Sequence, residues 1–356
     1  MCAIGRTHLV AGEERHVANL KDVARQAGVD PSTASRVLRD DPGQQVRPET
    51  RQRILDAARE LRYRPNALAQ GLRTRRTDTL GLVVPSLDDL GFADVTHGIQ
   101  AAAAAAGKLV MVVEADSVAG TTHAIYERLI GSGRLDGLMI AFVSIDADLV
   151  EQQGERNIPV VLVNGRMAGV QGSVVVDDER GSRMAVEHLV GLGHRRIGYL
   201  GLAADTDTAR RRLRGYGAGM TEAGIRIDPR WLAAGPATED GGRTAMATVL
   251  KANPGRPPTG FFVASLMSAI GALAAISDAG LRVPADISLV TFDDHPFAGH
   301  TAPPLTTIRM PNFRMGQEAV RMLLAAFAGE SERDLVIDEA PQIVVRASTG
   351  RAPAAG

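Results

Sequence analysis

The hydrophobic pattern changes style near residue 79. Between 20 and about 61, apolar residues recur at helical spacing with short breaks; beyond 79, short apolar runs alternate with longer helical patterns. The opening stretch predicts three helices. Asn19 can cap the first, with Asp22 three residues on, and Val23 and Ala27 share its inner face. Gly28 breaks that helix and Val29 turns inward. Asp30 can cap a second helix, Pro31 suits its first turn, and Ala34 and Val37 are its inward positions. A third helix opens at Pro48-Glu49-Thr50 and packs through Ile54, Ala57 and Leu61. Two short helices joined by a glycine turn form a helix-turn-helix, which would set Pro31, Ser32 and Thr33 toward a DNA major groove, with Ser35 and Arg36 further along. A plain helical hairpin is the competing reading. The combined spacing of Ala24, Gly28, Val29 and Val37 argues against it.

After residue 79, strands are expected at 80–84, 110–113, 138–142, 160–163, 174–176, 197–200, 261–263 and 287–292. Helices are expected at 95–106, 122–131, 181–191, 210–223, 241–251, 267–279 and 312–328. Alternation of this kind predicts parallel sheets covered on both faces. So many strands over this length suit two α/β halves better than one. The alanine run at 101–106 reads as a tightly packed helix, since alanine is the best helix former.

Charge sharpens this division. The chain has 356 residues and a net charge of −1, but residues 1–79 hold 15 Lys+Arg against 10 Asp+Glu, and the remainder holds 25 against 31. A basic head on an acidic body points to a polyanionic partner for the head. The one cysteine, Cys2, excludes a disulfide framework within the chain. No apolar run approaches the ~20 residues of a membrane span, and the N-terminus lacks an apolar core of signal-peptide length. A cytoplasmic protein without membrane contact is expected. The histidines show no ligand spacing, and no phosphate loop or paired-cysteine site occurs, so no metal and no cofactor is expected. The loop from Gly131 to Gly137 precedes its strand, where a dinucleotide fingerprint would follow one. The aspartate pairs at 88–89, 177–178 and 293–294 read as caps or ligand contacts rather than as an acid/base couple.

The segment Leu20-Lys21-Asp22-Val23-Ala24-Arg25-Gln26-Ala27-Gly28-Val29, then Thr33, Ser35-Arg36-Val37-Leu38 and Arg62-Tyr63-Arg64-Pro65-Asn66-Ala67, closely resembles LacI/GalR-family transcriptional regulators. The resemblance continues through Thr79–Pro85, Arg134–Leu138, Leu192–Ile197, Val283–Asp294 and Pro303–Ile308. It runs from about Val17 to Ser348. It implies a small all-α helix-turn-helix head on an α/β periplasmic-binding-protein-like core of two doubly wound parallel-sheet halves. The expected organisation is a flexible extension over 1–18, the head over 19–64 and a hinge helix and linker over 65–78. The effector-binding and dimerisation core follows over 79–348 and a tail over 349–356. Within the core the halves span roughly 79–178 and 179–308, and the chain crosses back to the first after 308.

The resemblance also implies residue roles. Pro31, Ser32 and Arg36 match base-reading positions, and an arginine can fork onto guanine O6 and N7. Lys21, Thr33 and Ser35 match positions that contact DNA around them. Asn66, Ala67 and Leu72 fall in the hinge helix, where Leu72 matches a leucine that wedges between central base pairs, and Arg73 beyond it could contact phosphate or belong to a solvated charge run. In the core, Asp89, Phe92, Asn164, Arg212, Phe262, Ser265 and Asp293 match effector contacts. Carboxylates, an amide and an arginine around aromatic rings suit a polyhydroxylated ligand, with a sugar as the leading candidate. Arg212 would also suit an anionic group.

Some positions depart from the family pattern. Asp30 replaces the usual serine cap, Arg47 stands where a capping serine is usual, and Ala34 replaces a common valine. Ser265-Leu266 stands where relatives often carry Asn-Asp, and Gly91 where they often carry an aromatic. These leave open a phosphorylated sugar, a nucleoside or an empty pocket. The expected function is a regulator, most often a repressor in this family, that binds a pseudo-palindromic double-stranded DNA operator as a homodimer under effector control. The alternative is a solute-binding or enzymatic α/β protein with a non-DNA-binding head, but no export signal and no convergent catalytic set support it.

Overall fold

The computed structural model describes residues 18–39, 46–64, 76–114, 128–129, 131, 133–141, 158–167, 172–202, 206–330 and 334–354. The expected hinge and linker positions Asn66, Ala67, Leu72 and Arg73 lie outside these residues, as do the extension up to residue 17 and most of the helix expected over 122–131. The chain divides into two compact units between Thr77 and Asp78.

The first unit contains α1 (Leu20–Ala27), α2 (Pro31–Leu38) and α3 (Pro48–Glu60). Asn19 closes a full capping box: its side chain accepts from the Lys21 and Asp22 amides, and its own amide donates to Asp22 at 3.0 Å. Gly28 ends α1 in the left-handed region at φ 66°, and Val29 N donates back to Ala24 O at 3.0 Å. Asp30 Oδ1 accepts from Ser32 N at 2.7 Å and starts α2. Arg47 makes no side-chain cap to α3, where Pro48 supplies the first-turn geometry. The three helices bury Val23, Ala24, Ala27, Ala34, Val37, Ile54 and Ala57 in one small core.

A Cβ at Gly28 would meet nothing within 4 Å, so the cost of Gly28→Ala is purely that of the left-handed backbone, about 1 kcal/mol. Hydrogen exchange on the full chain should show the α1 and α2 amides opening more often, roughly fivefold at that cost. Unchanged protection would mean the turn is not what holds the two helices.

The second unit begins with β1 (Thr79–Val84), α4 (Ala93–Ala105), β2 (Leu109–Glu114), β3 (Gly137–Ala141), β4 (Val160–Val163) and β5 (Ser173–Val175). It continues with α5 (Asp178–Gly191), β6 (Ile197–Leu202), α6 (Asp207–Glu222), β7 (Leu232–Gly235), α7 (Glu239–Ala252), β8 (Gly260–Val263), α8 (Leu266–Asp278) and β9 (Ser288–Phe292). Last come β10 (Thr306–Arg309), α9 (Asn312–Phe327), β11 (Leu335–Val336) and β12 (Gln342–Val344). One sheet runs β11-β5-β4-β3-β1-β2, with every pairing parallel. The other runs β12-β10-β9-β8-β6-β7, parallel except for β12 against β10.

Four strands escape the hydrophobic pattern. β7 reads Leu-Ala-Ala-Gly and β10 reads Thr-Thr-Ile-Arg, while β11 and β12 have two and three residues. The apolar runs at 231–234, 335–337 and 343–345 are no shorter than some that mark strands elsewhere, so run length alone does not separate them. Each is defined by its partner strand.

α9 follows a strand of the second sheet yet packs on α4 and on β3, β4 and β5 of the first. Close contact between α4 and α9 depends on glycine. A Cβ at Gly98 would lie 2.0 Å from Phe313 O, and one at Gly316 would lie 2.2 Å from Val95 O. The alanine run is less packed than its composition suggests: Ala103 is buried, whereas Ala101, Ala104, Ala105 and Ala106 are exposed. Beyond β12, buried Ser348 bridges Thr306 N and Leu289 O, both at 2.7 Å, and Ala352 N reaches Leu192 O at 2.9 Å.

Candidate functional site

Two surfaces carry the chemistry, one on each unit. On the first, Lys21, Pro31, Ser32 and Arg36 are exposed, and Thr33 and Ser35 are half-buried. The capped start of α2 therefore presents Pro31 and Ser32 outward, with Arg36 further along the helix. Ser35 is already engaged: Arg39 Nη2 donates to its hydroxyl at 2.8 Å and Arg39 Nε to its carbonyl at 2.9 Å. Arg39 was not singled out from sequence. It follows the last turn of α2, where a cation favours the helix terminus. Hydrogen bonds from Ser32 hold the exposed Asp30 carboxyl below the usual range, so it stays charged beside this surface.

The second surface is a narrow, partly open cleft. It lies where the strands of both sheets end, the usual place for a ligand in such folds. Asp89, Gly91, Phe92 and Asn164 come from the first half, and Leu202, Arg212, Ala237, Ser265 and Asp293 from the second. Phe262 is the exception among the residues named from sequence. Its ring is fully buried between Tyr199 and Phe292, with centroids 5.4 and 5.3 Å away, and it does not line the cleft. Alternation along a strand explains this, because the residue before a strand end can point into the sheet-helix layer.

Backbone geometry aims the lining groups. Asn164 and Asp293 follow β4 and β9 directly with φ of 61° and 69°. Asparagine and aspartate tolerate this left-handed conformation better than other side chains. Asp89 caps a short 3-10 turn over Leu90–Phe92, accepting from Gly91 N at 3.0 Å. A side chain at Gly91 would have to push the lining carboxylates aside. A Cβ there would sit 2.8 Å from Asp293 Oδ2 and 3.2 Å from Asp89 Oδ1.

Behind the lining lies a buried ion network that sequence inspection did not reveal. Asp178 is fully buried and takes both Arg211 Nη1 and Arg212 Nε, the latter at 2.8 Å. Arg211 also bonds Asp207 at 2.8 Å, Val176 O at 2.8 Å and Asn164 O at 3.3 Å. Arg212 donates to Ala264 O and stacks on Phe292, its guanidinium carbon 4.2 Å from the ring centroid. The sequence trace of the network is Arg211 and Arg212, the last two of three consecutive arginines in an amphipathic helix.

Burial pushes the Asp293 carboxyl up to about 6, with Asp89 adding to the rise and Arg212 and Asn312 opposing it. Burial likewise raises Asp89, against the Gly91 amide and Arg212. Burial disfavours the charge on Arg212, but Asp178 and Asp293 outweigh it and hold the guanidinium charged.

Two of the other aspartates of the pairs have structural partners. Asp177 caps α5 through Arg180 N at 3.0 Å, and Asp294 holds Arg309 at 2.9 Å and Thr307 at 2.7 Å. Among the described residues no metal-ligating cluster occurs, and no helix is long and apolar enough to cross a membrane.

Residues 19–66 match the model of the bacterial regulatory proteins, lacI family, and residues 186–349 match that of a periplasmic binding protein-like domain. The HTH-type transcriptional repressor PurR of Proteus mirabilis (strain HI4320) is 32% identical over 340 residues, 95% of this chain and 98% of the relative. The solved lac repressor dimer bound to operator and the anti-inducer ONPF superposes with a TM-score of 0.80 at 30% identity, covering 94% of this chain and 99% of that one. The transcriptional regulator CelR–cellobiose complex gives 0.70 at 31% identity, with 93% and 99% covered. Taken with the helix-turn-helix head and the two-sheet core, these similarities place the chain in the lacI family of DNA-binding bacterial transcription regulators.

Proposed function

We propose that the protein is a transcriptional repressor that binds a pseudo-palindromic operator as a homodimer and is controlled by a small polyhydroxylated effector in the core cleft. One observation carries this reading. Polar groups from both halves converge on one cleft, in a chain whose head turns Pro31, Ser32 and Arg36 outward on the second helix of its helix-turn-helix. A ligand touching Asp89 and Asn164 on one half and Arg212, Ser265 and Asp293 on the other favours one relative arrangement of the halves. Coupling to DNA is then reciprocal, so operator DNA alters effector affinity by the same factor.

The test is affinity selection of fragmented source-genome DNA on the purified full chain, followed by sequencing. Enrichment of a short two-fold-symmetric motif is expected. Loss of enrichment both with and without a metabolite extract sinks the reading. On the enriched site, log affinity should fall with log salt at roughly −0.9 per phosphate contact. Arg36→Ala should weaken the enriched site by about 1–2 kcal/mol while sparing non-specific DNA. Equal losses on both would remove Arg36 from base reading.

Two-fold symmetry also accounts for an exposed apolar edge. Leu109 is 72% exposed and Met111 37%, both on β2 at the end of its sheet. Bare apolar edge strands invite pairing and are normally covered. A second copy of the chain would cover this one. Leu109→Asp is expected to shift the light-scattering mass from dimer toward monomer. A dimer unmoved by the substitution would place the interface elsewhere.

A further inference from the structure

The open hydrogen-bonding capacity of the cleft is mostly on the acceptor side. Asp89 Oδ1 takes the Gly91 amide and Asp293 Oδ1 takes Asn312 Nδ2 at 3.1 Å, and no other described residue donates to either carboxylate. Asn164 Oδ1 is buried without a hydrogen-bond partner, in a residue only 9% exposed that lines the same cleft. The donors are engaged in part. Ser265 Oγ donates to Ser268 Oγ at 2.9 Å. Arg212 gives Nε to Asp178 and Nη1 to Ala264 O, and its face lies on Phe292, which leaves Nη2 as an open donor among the described residues.

The charges lean the same way. Arg211 and Arg212 face Asp178, Asp207, Asp89 and Asp293, which leaves two carboxylates in excess. Those in excess are the lining pair, Asp89 and Asp293, crowded from opposite halves around the space above Gly91. An anion entering here would meet both carboxylates, with Arg212 Nη2 as the cation's one open group to set against them. A protonated amine carries three donors and no acceptor, which suits three open acceptors, two of them charged.

We propose that the cleft takes a small polar molecule bearing one positive charge, a protonated amine on a polyhydroxylated frame, with its ammonium between Asp89 and Asp293 and a further donor on Asn164 Oδ1. This inference rests on the effector reading above and narrows it. It turns away the phosphorylated ligands that Arg212 alone would admit. It also gives Gly91 a purpose, since any side chain there would occupy the space of the ammonium.

The experiment uses the purified full chain and a panel in which each frame appears as amine, neutral parent and phosphate: glucosamine, glucose and glucose 6-phosphate; the corresponding ribose set; and the corresponding glycerol set. Binding is read by thermal shift and calorimetry, and operator affinity is read on the same samples. The amines are expected to rank first in each frame that binds, and Asp89→Asn and Asp293→Asn to weaken them by about tenfold or more. Unfolding curves check that both variants remain folded. A phosphate or neutral parent that outranks its amine overturns the proposal. Absence of binding from every frame overturns it as well. An amine that binds through both carboxylates yet leaves operator affinity unchanged keeps the ligand class and overturns the effector reading instead.

Discussion

Asp178→Ala is expected to destabilise the core by about 3–5 kcal/mol, the usual consequence of stripping the counter-charge from a buried ion pair. The side chain of Asp178 has no exposure to solvent and accepts from two guanidinium groups that are themselves about 6% exposed. Removing it leaves Arg211 and Arg212 adjacent, charged and desolvated, with Asp207 and Asp293 the nearest compensation. The loss extends beyond stability. Arg211 ties α6 to the carbonyls of Asn164 and Val176, and Arg212 lines the cleft, so the ligand groups of the two halves lose their mutual registration. Asp177→Ala is the matched control. That carboxylate caps α5 at the partly exposed neighbouring position, and its removal should cost about 1 kcal/mol. Urea midpoints of the full chain read both. If Asp178→Ala falls no further than Asp177→Ala, the network is not a structural keystone.

The second large effect has the opposite sign. Asp293→Asn should stabilise the ligand-free core by about 2–3 kcal/mol at pH 7.5, taking the elevation of Asp293 from 3.8 to about 6 at 1.36 kcal/mol per pH unit as its upper bound. A carboxyl whose folded pKa exceeds its unfolded value binds an extra proton in the folded state between about pH 4 and 6. Its penalty is therefore fully present above about pH 6 and relieved as pH falls toward 4. The groups facing it are Asp89 from the loop after β1, Arg212 on α6, Asp178 at the start of α5 and Asn312 at the start of α9. Of these, Asn312 can still donate to the oxygen of an asparagine at 293. The advantage of the variant over the parent should shrink as pH falls through 6 and vanish near 4. A variant less stable than the parent at pH 7.5, or an advantage independent of pH, would show that Asp293 is not under electrostatic strain. Gain of stability with loss of ligand binding is the trade expected of a residue kept for function.

Most of the head was legible because its signals are local. Asn19 with Asp22, Gly28, and Asp30 with Pro31 each act within one turn of chain. The structure places a capping box, a left-handed turn and a capped second helix on those residues. The long apolar runs of the core were legible for a similar reason, since a strand buried on both faces must be apolar along its length. The cleft was legible in part. Asn164 and Asp293 are polar residues standing directly after such runs, at positions where their side chains tolerate positive φ. Phe262 was misleading because it also stands at the end of an apolar run, and a run carries no information about which face its last ring takes.

What the sequence determined by itself was the helix-turn-helix head, the alternating α/β order and the strand-end polar residues. All of these follow from spacing and capping over a few residues. Tertiary structure alone decided the rest: the strands β7, β10, β11 and β12, the packing of α9 on α4, and the pairing of Asp178 with Arg211 and Arg212 across more than thirty positions. The physical reason is that a buried charge or a strand of two to four residues is stable only beside its partner. That partner is chosen by how the chain crosses between halves, and no local pattern records the crossing.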